Sequence, residues 1–203
     1  YEEIPIALEM PEDVRSAYKE AEHTLQHVLK SDRQAAQKIL SAYLNLLTVY
    51  PDQPYDQPTV IHPIAGLPLV VPENLGGFER ILPKEETMAI VRRKIAAGER
   101  VLIYTSWTRT DSQQKLLKLL RKEGYCTDIL TPRIETEKRE EWVEKRVKSG
   151  LQVLITNPRC VETGLDLNAF TTLIFYSMGY NLFTLRQASR RSWRINQTAP
   201  RVA

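Results

Sequence analysis

After residue 83 the sequence predicts an α/β fold, a parallel sheet covered by helices on both faces. Two observations predict it. Short apolar runs at 101–105, 125–130, 151–156 and 171–177 alternate with helix-period segments, and strands that read as near-continuous apolar runs are buried on both faces. Composition agrees: 203 residues, 42% hydrophobic and 26% charged, can bury a real core in one domain plus an appendage, or in two small ones.

In chain order, Ile4, Ile6 and Leu8 alternate and fit a short strand over 3–9, before Pro11. The period then changes. Val14, Ala17, Tyr18, Ala21, Leu25, Val28 and Leu29 recur at three and four, as do Ala36, Ile39, Leu40, Tyr43, Leu46 and Leu47. This gives two amphipathic helices separated near Ser31 and Asp32, either of which is an N-cap for the second. Residues 1–50 thus read as a helical segment. Residues 51–83 hold seven of the twelve prolines, with Gly66, Gly76 and Gly77, which predicts an irregular connector containing a domain boundary. Residues 84–203 form the α/β domain. Its first helix, 85–97, ends at Gly98, suited to a left-handed cap. Thr110 and Gln113 have capping-box spacing for a helix carrying Leu116, Leu117, Leu119 and Leu120 and closed by Gly124. Further helices are expected over 136–148 and 186–197. Both termini read as excisions from something longer, since the chain opens Tyr1-Glu-Glu-Ile4 without an initiator methionine.

Net charge of +3 is too small to argue nucleic-acid binding from electrostatics, although a locally basic surface is compatible with it. Cys126 and Cys160 lie far apart with no CxxC pattern, so neither a disulfide framework nor a zinc site is indicated and a reducing cytosol fits. No signal peptide is recognisable and no apolar run reaches membrane-spanning length, so a cytoplasmic or nucleoid-associated protein without a membrane partner is expected. His23 and His27 have the i, i+4 spacing of a helical metal pair, but no glutamate follows His23 and His62 is the only other histidine. Surface or packing roles are therefore expected, with no metal site.

In open α/β sheets ligands bind beyond the carboxyl ends of the strands, where 105–107, 131–133 and 156–159 lie. Within 153–167, Gly164 lets backbone come close to a ligand and Asp166 can accept hydrogen bonds from a ribose. Taken alone, these two read first as a turn glycine followed by a helix-capping acid. If 186–197 is helical, Gln187, Arg191 and Arg194 stand at i, i+4 and i+7 and share one stripe, with Arg190 beside them. Clustered guanidiniums repel unless an anion sits among them, and phosphate matches the arginine fork best. The other reading is a solvated basic helix face.

Together these segments resemble a known family. Ile155 to Leu167 is similar to motif V of superfamily 2 helicases and translocases, and Gln187-Ala-Ser-Arg-Arg-Ser-Trp-Arg194 to their motif VI. Arg194-Ile-Asn-Gln197 resembles the arginine-isoleucine-glycine-glutamine ending of the Swi/Snf branch, as does Tyr180-Asn181 upstream. Val101-Leu-Ile-Tyr-Thr-Ser106 resembles motif IV. The resemblance covers about 84–197, and the N-terminal helices look like the segment that joins two RecA-like domains. The sequence departs from the family at Arg190, where glycine is common, and at Asn196.

The resemblance implies a truncated RecA-like three-layer C-terminal domain, preceded by a helical linker. It implies that Arg191 and Arg194 reach across a cleft to the γ-phosphate with Gln187 beside them, and that Gly164 and Asp166 meet the nucleotide. Ser106, Trp107, Thr108 and Thr156 would touch the nucleic-acid backbone without reading sequence. None of the eight glycines is followed by lysine and no DExH or DExD box is present. ATP and Mg2+ are therefore expected to be held only in a full-length protein, with an N-terminal RecA-like domain of the same chain completing the site. DNA is the expected track, modestly favoured over RNA by the Swi/Snf-like ending. The alternative is a catalytically inactive RecA-like module that binds nucleic acid or protein. A self-contained enzyme with Cys160 as nucleophile is a third class, against which a packed, inert cysteine is the simpler reading.

Overall fold

The structure, a computed structural model, describes residues 3–86, 88–107, 110–161, 165–178 and 182–190. Its contacts divide the chain into two compact units, Leu8–Glu86 and Thr87–Ala203, the latter together with Tyr1–Ala7.

In the first unit, α1 (Glu12–Ser31) buries Val14, Ala17, Ala21, Leu25 and Val28, a stripe at helical spacing. Glu12 and Asp13 in its first turn complement the helix dipole. A single residue separates α1 from α2 (Arg33–Val49): Asp32 is extended and its carboxylate accepts from the Ala35 N–H at 2.9 Å, the N-cap expected there. The proline-rich segment contains a small antiparallel hairpin, β1 (Val60–Ile61) with β2 (Pro68–Val70). Val60 and Val70 join the core of α1 and α2, so the segment read as an irregular connector packs onto the helices. The Tyr50 hydroxyl donates to the Glu73 carbonyl at 2.8 Å. Burial, with the Glu73 carboxylate adding to it, pushes this phenol up to about 12. Arg80 holds both oxygens of Asp13, at 2.9 and 2.7 Å, and Lys84 reaches Asp52 at 2.8 Å. A short α3 (Pro83–Glu86) closes the unit, with the Leu82 N–H donating to Glu85 Oε2 at 2.7 Å.

The strand expected over 3–9 is absent: residues 3–10 have no regular structure, and Ile4, Ile6 and Leu8 are exposed. Alternation does not suffice there, because Pro5 has no N–H to give to a ladder.

In the second unit the order is α4 (Ala89–Ala96), β3 (Val101–Thr105), α5 (Ser112–Lys122), β4 (Thr127–Leu130), α6 (Arg139–Lys148), β5 (Val153–Thr156), β6 (Thr172–Ser177) and α7 (Leu182–Ser189). Single 3-10 turns, Thr136–Lys138 and Pro158–Val161, precede α6 and follow β5. The helix expected over 85–97 is instead the separate α3 and α4. Gly98 (φ 80°) and Gly124 (φ 89°) end α4 and α5 in the left-handed region, as their positions imply. The expected capping box does not form. The Thr110 hydroxyl donates to the Trp107 carbonyl, while the Gln113 amide turns to the Thr105 hydroxyl at 2.7 Å, a tertiary partner that outcompetes the local one.

The sheet is parallel, in the order β4-β5-β3-β6. Side chains alternate across it. Leu102, Tyr104, Leu130 and Leu154 pack with Val143 of α6, Cys160, Leu165, Leu167, Phe170 and Ala188 of α7. Val101, Ile103, Val153, Ile155 and Tyr176 pack with Met88, Val91 of α4, and Leu116 and Leu120 of α5. Right-handed crossovers require this sharing of faces. At the amino end of the sheet, Glu99 accepts from Thr172 Oγ1 at 2.6 Å, Thr171 Oγ1 at 3.2 Å and Lys94 Nζ at 3.2 Å. Burial alone raises this carboxyl, but the threonine and lysine donors prevail and hold it below the usual range.

Leu116 is fully buried between α5 and the sheet. Leu116→Ala is expected to destabilise the second unit by roughly 2–5 kcal/mol, read by urea unfolding. Because the folded Glu99 carboxyl lies below its unfolded value, its contribution is present above pH ~4.3 and is lost as pH falls through the folded value. The stability difference between wild type and Glu99→Gln should therefore shrink from pH 6 towards pH ~3.

Candidate functional site

The carboxyl ends of the four strands are joined by side chains. Thr156 at the end of β5 is fully buried, and its hydroxyl donates to the Leu130 carbonyl of β4 at 3.0 Å. Asn157 donates from Nδ2 to the carbonyls of Thr105 and Ser106 at 3.1 and 2.9 Å, joining β5 to β3. Its Oδ1 accepts from the Arg159 N–H at 2.9 Å. Ser106 joins β3 to β6: its N–H donates to Ser177 Oγ and its hydroxyl to the Ser177 carbonyl, both at 2.9 Å. Each pair satisfies backbone or hydroxyl groups that the ladder leaves behind where the strands end.

Two longer side chains fix the elements around this edge. Arg139, first residue of α6, donates from Nε to the Ile134 carbonyl at 2.9 Å and from Nη1 to the Cys160 carbonyl at 3.0 Å. It thereby holds the segment after β4 to the turn after β5. Tyr104 on β3 stacks on Phe175 of β6, ring centroids 5.1 Å apart, and its hydroxyl donates to the Ala188 carbonyl at 3.2 Å. That carbonyl is one of the last in α7, which have no partner within the helix. The bond anchors α7 to the central strand.

The expected site residues divide accordingly. Gln187 is half-buried on α7, beside the anchored Ala188. Asp166 is half-buried between the buried Leu165 and Leu167, and its Oδ1 accepts from the Asn168 N–H at 3.3 Å. α7 packs on the Pro158–Val161 turn, and its Ala188 joins Leu165 and Leu167, which flank Asp166, in the core on one face of the sheet. Ser106 and Thr156 occupy the carboxyl edge, but Ser106 spends both its donors on Ser177 and Thr156 spends its hydroxyl on Leu130. Both hydroxyls thus join neighbouring strand ends. Trp107 is half-buried. Thr108, Gly164, Arg191 and Arg194 lie outside the described residues. The helix expected over 186–197 begins earlier, at Leu182, and ends at Ser189, with Arg190 exposed in a turn. Asn157, Ser177 and Arg139 were not singled out by sequence. Asn157 before Pro158 carries a turn signal, whereas Arg139 looks like any other charge on its helix. Cys160 is buried in the core. Among the described residues no three His, Cys, Asp or Glu side chains are grouped to hold a metal ion, and no helix is long and apolar enough to cross a membrane.

The chain has known counterparts. The model of the helicase conserved C-terminal domain matches residues 84–196. The chromatin-remodeling ATPase INO80 of Mus musculus is 28% identical over 146 residues, covering 67% of this chain and 9% of its own length. The putative ATP-dependent helicase/translocase YwqA of Bacillus subtilis is 28% identical over 137 residues, covering 67% of this chain and 14% of its own. The chain thus spans a small part of the curated relatives it matches. Among solved structures, the Sulfolobus solfataricus SWI2/SNF2 ATPase core in complex with dsDNA superposes with a TM-score of 0.64 at 19% identity, covering 95% of this chain and 37% of that one. The C-terminal part of the Fun30 ATPase domain gives a TM-score of 0.53 at 19% identity over 62% of this chain and 41% of its own. The fold is RecA-like α/β, and the chain belongs to the helicase conserved C-terminal domain family.

Proposed function

We propose that this chain is the C-terminal half of an ATP-driven translocase on double-stranded DNA. Arg191 and Arg194 neutralise charge developing on the γ-phosphate, with Gln187 beside them. Gly164 and Asp166 meet the nucleotide. An N-terminal RecA-like domain of the same protein supplies the remaining phosphate and Mg2+ ligands. DNA backbone contact falls to the segment starting at Trp107 and Thr108. The exposed Arg133 and Arg159, after β4 and β5, supply cationic donors nearby. Ser106 and Thr156 support that surface from below.

The observation that carries this reading is the bond from Tyr104 to Ala188. It fixes α7 on the strand that leads to Ser106 and Trp107, and the residues that follow α7 carry the arginines. A nucleotide between two domains and a DNA strand on the carboxyl edge would then act on one rigid body.

In the full-length protein, Arg191→Ala should lower DNA-stimulated ATP turnover by roughly 10³-fold or more, the usual worth of an arginine finger, with the thermal transition intact. Arg191→Lys should not rescue it, because lysine lacks the planar fork. Unchanged turnover in a folded Arg191→Ala protein would sink the reading. The 203-residue chain alone should bind duplex DNA with a Kd on the order of 10⁻⁴–10⁻⁶ M that weakens steeply with salt. Fluorescence anisotropy at several salt concentrations measures this, and nanomolar affinity at physiological salt is the contrary result.

A further inference from the structure

Asn157 is 8% exposed, and its side chain makes three hydrogen bonds, all to backbone. The chemistry fixes the orientation of its amide: the two groups facing Nδ2 are carbonyls and the group facing Oδ1 is an N–H. The sequence explains why a side chain is needed here. β5 and β3 pair up to Thr156 opposite Tyr104, and the second residue beyond is Pro158, which has no N–H with which to continue the ladder. The carbonyls of Thr105 and Ser106 would lack donors on that side, and the Asn157 carboxamide supplies both. Its oxygen meanwhile caps the 3-10 turn Pro158–Val161 by accepting from Arg159.

One uncharged side chain therefore holds two departures from the sheet. On one side is the exit of β3 into Ser106 and Trp107, and on the other the exit of β5 towards Gly164 and Asp166. We infer that Asn157 is a positioning residue that sets the register between the DNA-facing segment after β3 and the nucleotide-facing segment after β5. The inference rests on the function proposed above. Asn157 touches neither DNA nor nucleotide; it fixes how far apart, and at what angle, the two contacting segments stand.

Asn157→Asp separates the two halves of the clasp. The carboxylate keeps the bond from Arg159 N–H but loses both donors and sets an oxygen against the Thr105 and Ser106 carbonyls. In the full-length protein, ATP turnover is measured with and without a saturating DNA duplex. The ratio of the two should fall at least fivefold in a folded Asn157→Asp variant, and the duplex concentration giving half-maximal stimulation should rise. Asn157→Ser, whose hydroxyl can still accept from Arg159 but is too short to reach β3, should give the same loss without a buried charge. A residue that merely supports the fold would lower both turnovers by one factor. An unchanged ratio in a folded variant therefore overturns the assignment. Failure of both variants to fold also overturns it, giving Asn157 to the fold alone. A wild-type protein whose turnover ignores DNA overturns the proposed function together with this inference. Normal wild-type stimulation with a normal variant ratio overturns this inference only.

Discussion

Where β3, β4, β5 and β6 end, the ladder runs out while strand carbonyls remain, and the groups that satisfy them decide where each following segment goes. Three side chains and their partners do this: Thr156 for β4, Asn157 for β3, and Ser106 with Ser177 between β3 and β6. An unsatisfied buried carbonyl costs about 1–3 kcal/mol, so the edge has few alternative arrangements. Ser106, Trp107 and Thr156 stand at that edge, and Gln187 lies on a helix tied to it. Arg139 attaches the segments after β4 and β5 to each other, and Tyr104 attaches α7 to β3. The apolar faces decide that a sheet forms. The polar edge decides what the sheet can present.

Elements defined by burial were the most legible in the sequence. β3 occupies 101–105 as expected, and β4, β5 and β6 fall inside their expected ranges, because a strand covered on both faces has to be apolar at successive positions. Asp32, Gly98 and Gly124 were readable as caps, since each answers a local backbone requirement. Features that depend on tertiary neighbours were not. Thr110 and Gln113 have capping-box spacing, but the end of β3 lies within reach of Gln113 and takes its amide. The hairpin of β1 and β2 is hidden among prolines, since a strand of two or three residues is held by Val60 and Val70 reaching the core of α1 and α2, not by its own pattern.

The site shows the same division. Motif order gave the family, and the residues beside Gln187 and Asp166 (Ala188, Leu165 and Leu167) pack in one core on one face of the sheet. The resemblance marks Ser106 and Thr156 as residues at strand ends, but not the carbonyls that they join. Hydroxyls suit strand carbonyls, and only the fold reveals which they meet. Arg139 and Ser177 carry no sequence signal for their joining roles, since the partners Cys160 and Ser106 lie 21 and 71 residues away in the chain.

The bonds that join the four strand ends share a property that separates them from the rest of the unit: they come from hydroxyls, a carboxamide and a backbone N–H, none of them ionic. The opposite end of the sheet is held by a carboxylate with a lysine nearby. Counterions screen charge pairs but leave neutral hydrogen bonds almost untouched. On the function proposed above, local ionic conditions change whenever the track is bound or released. Strand ends joined without charges keep their shape through such changes, whatever the exposed Arg133 and Arg159 beyond β4 and β5 meet.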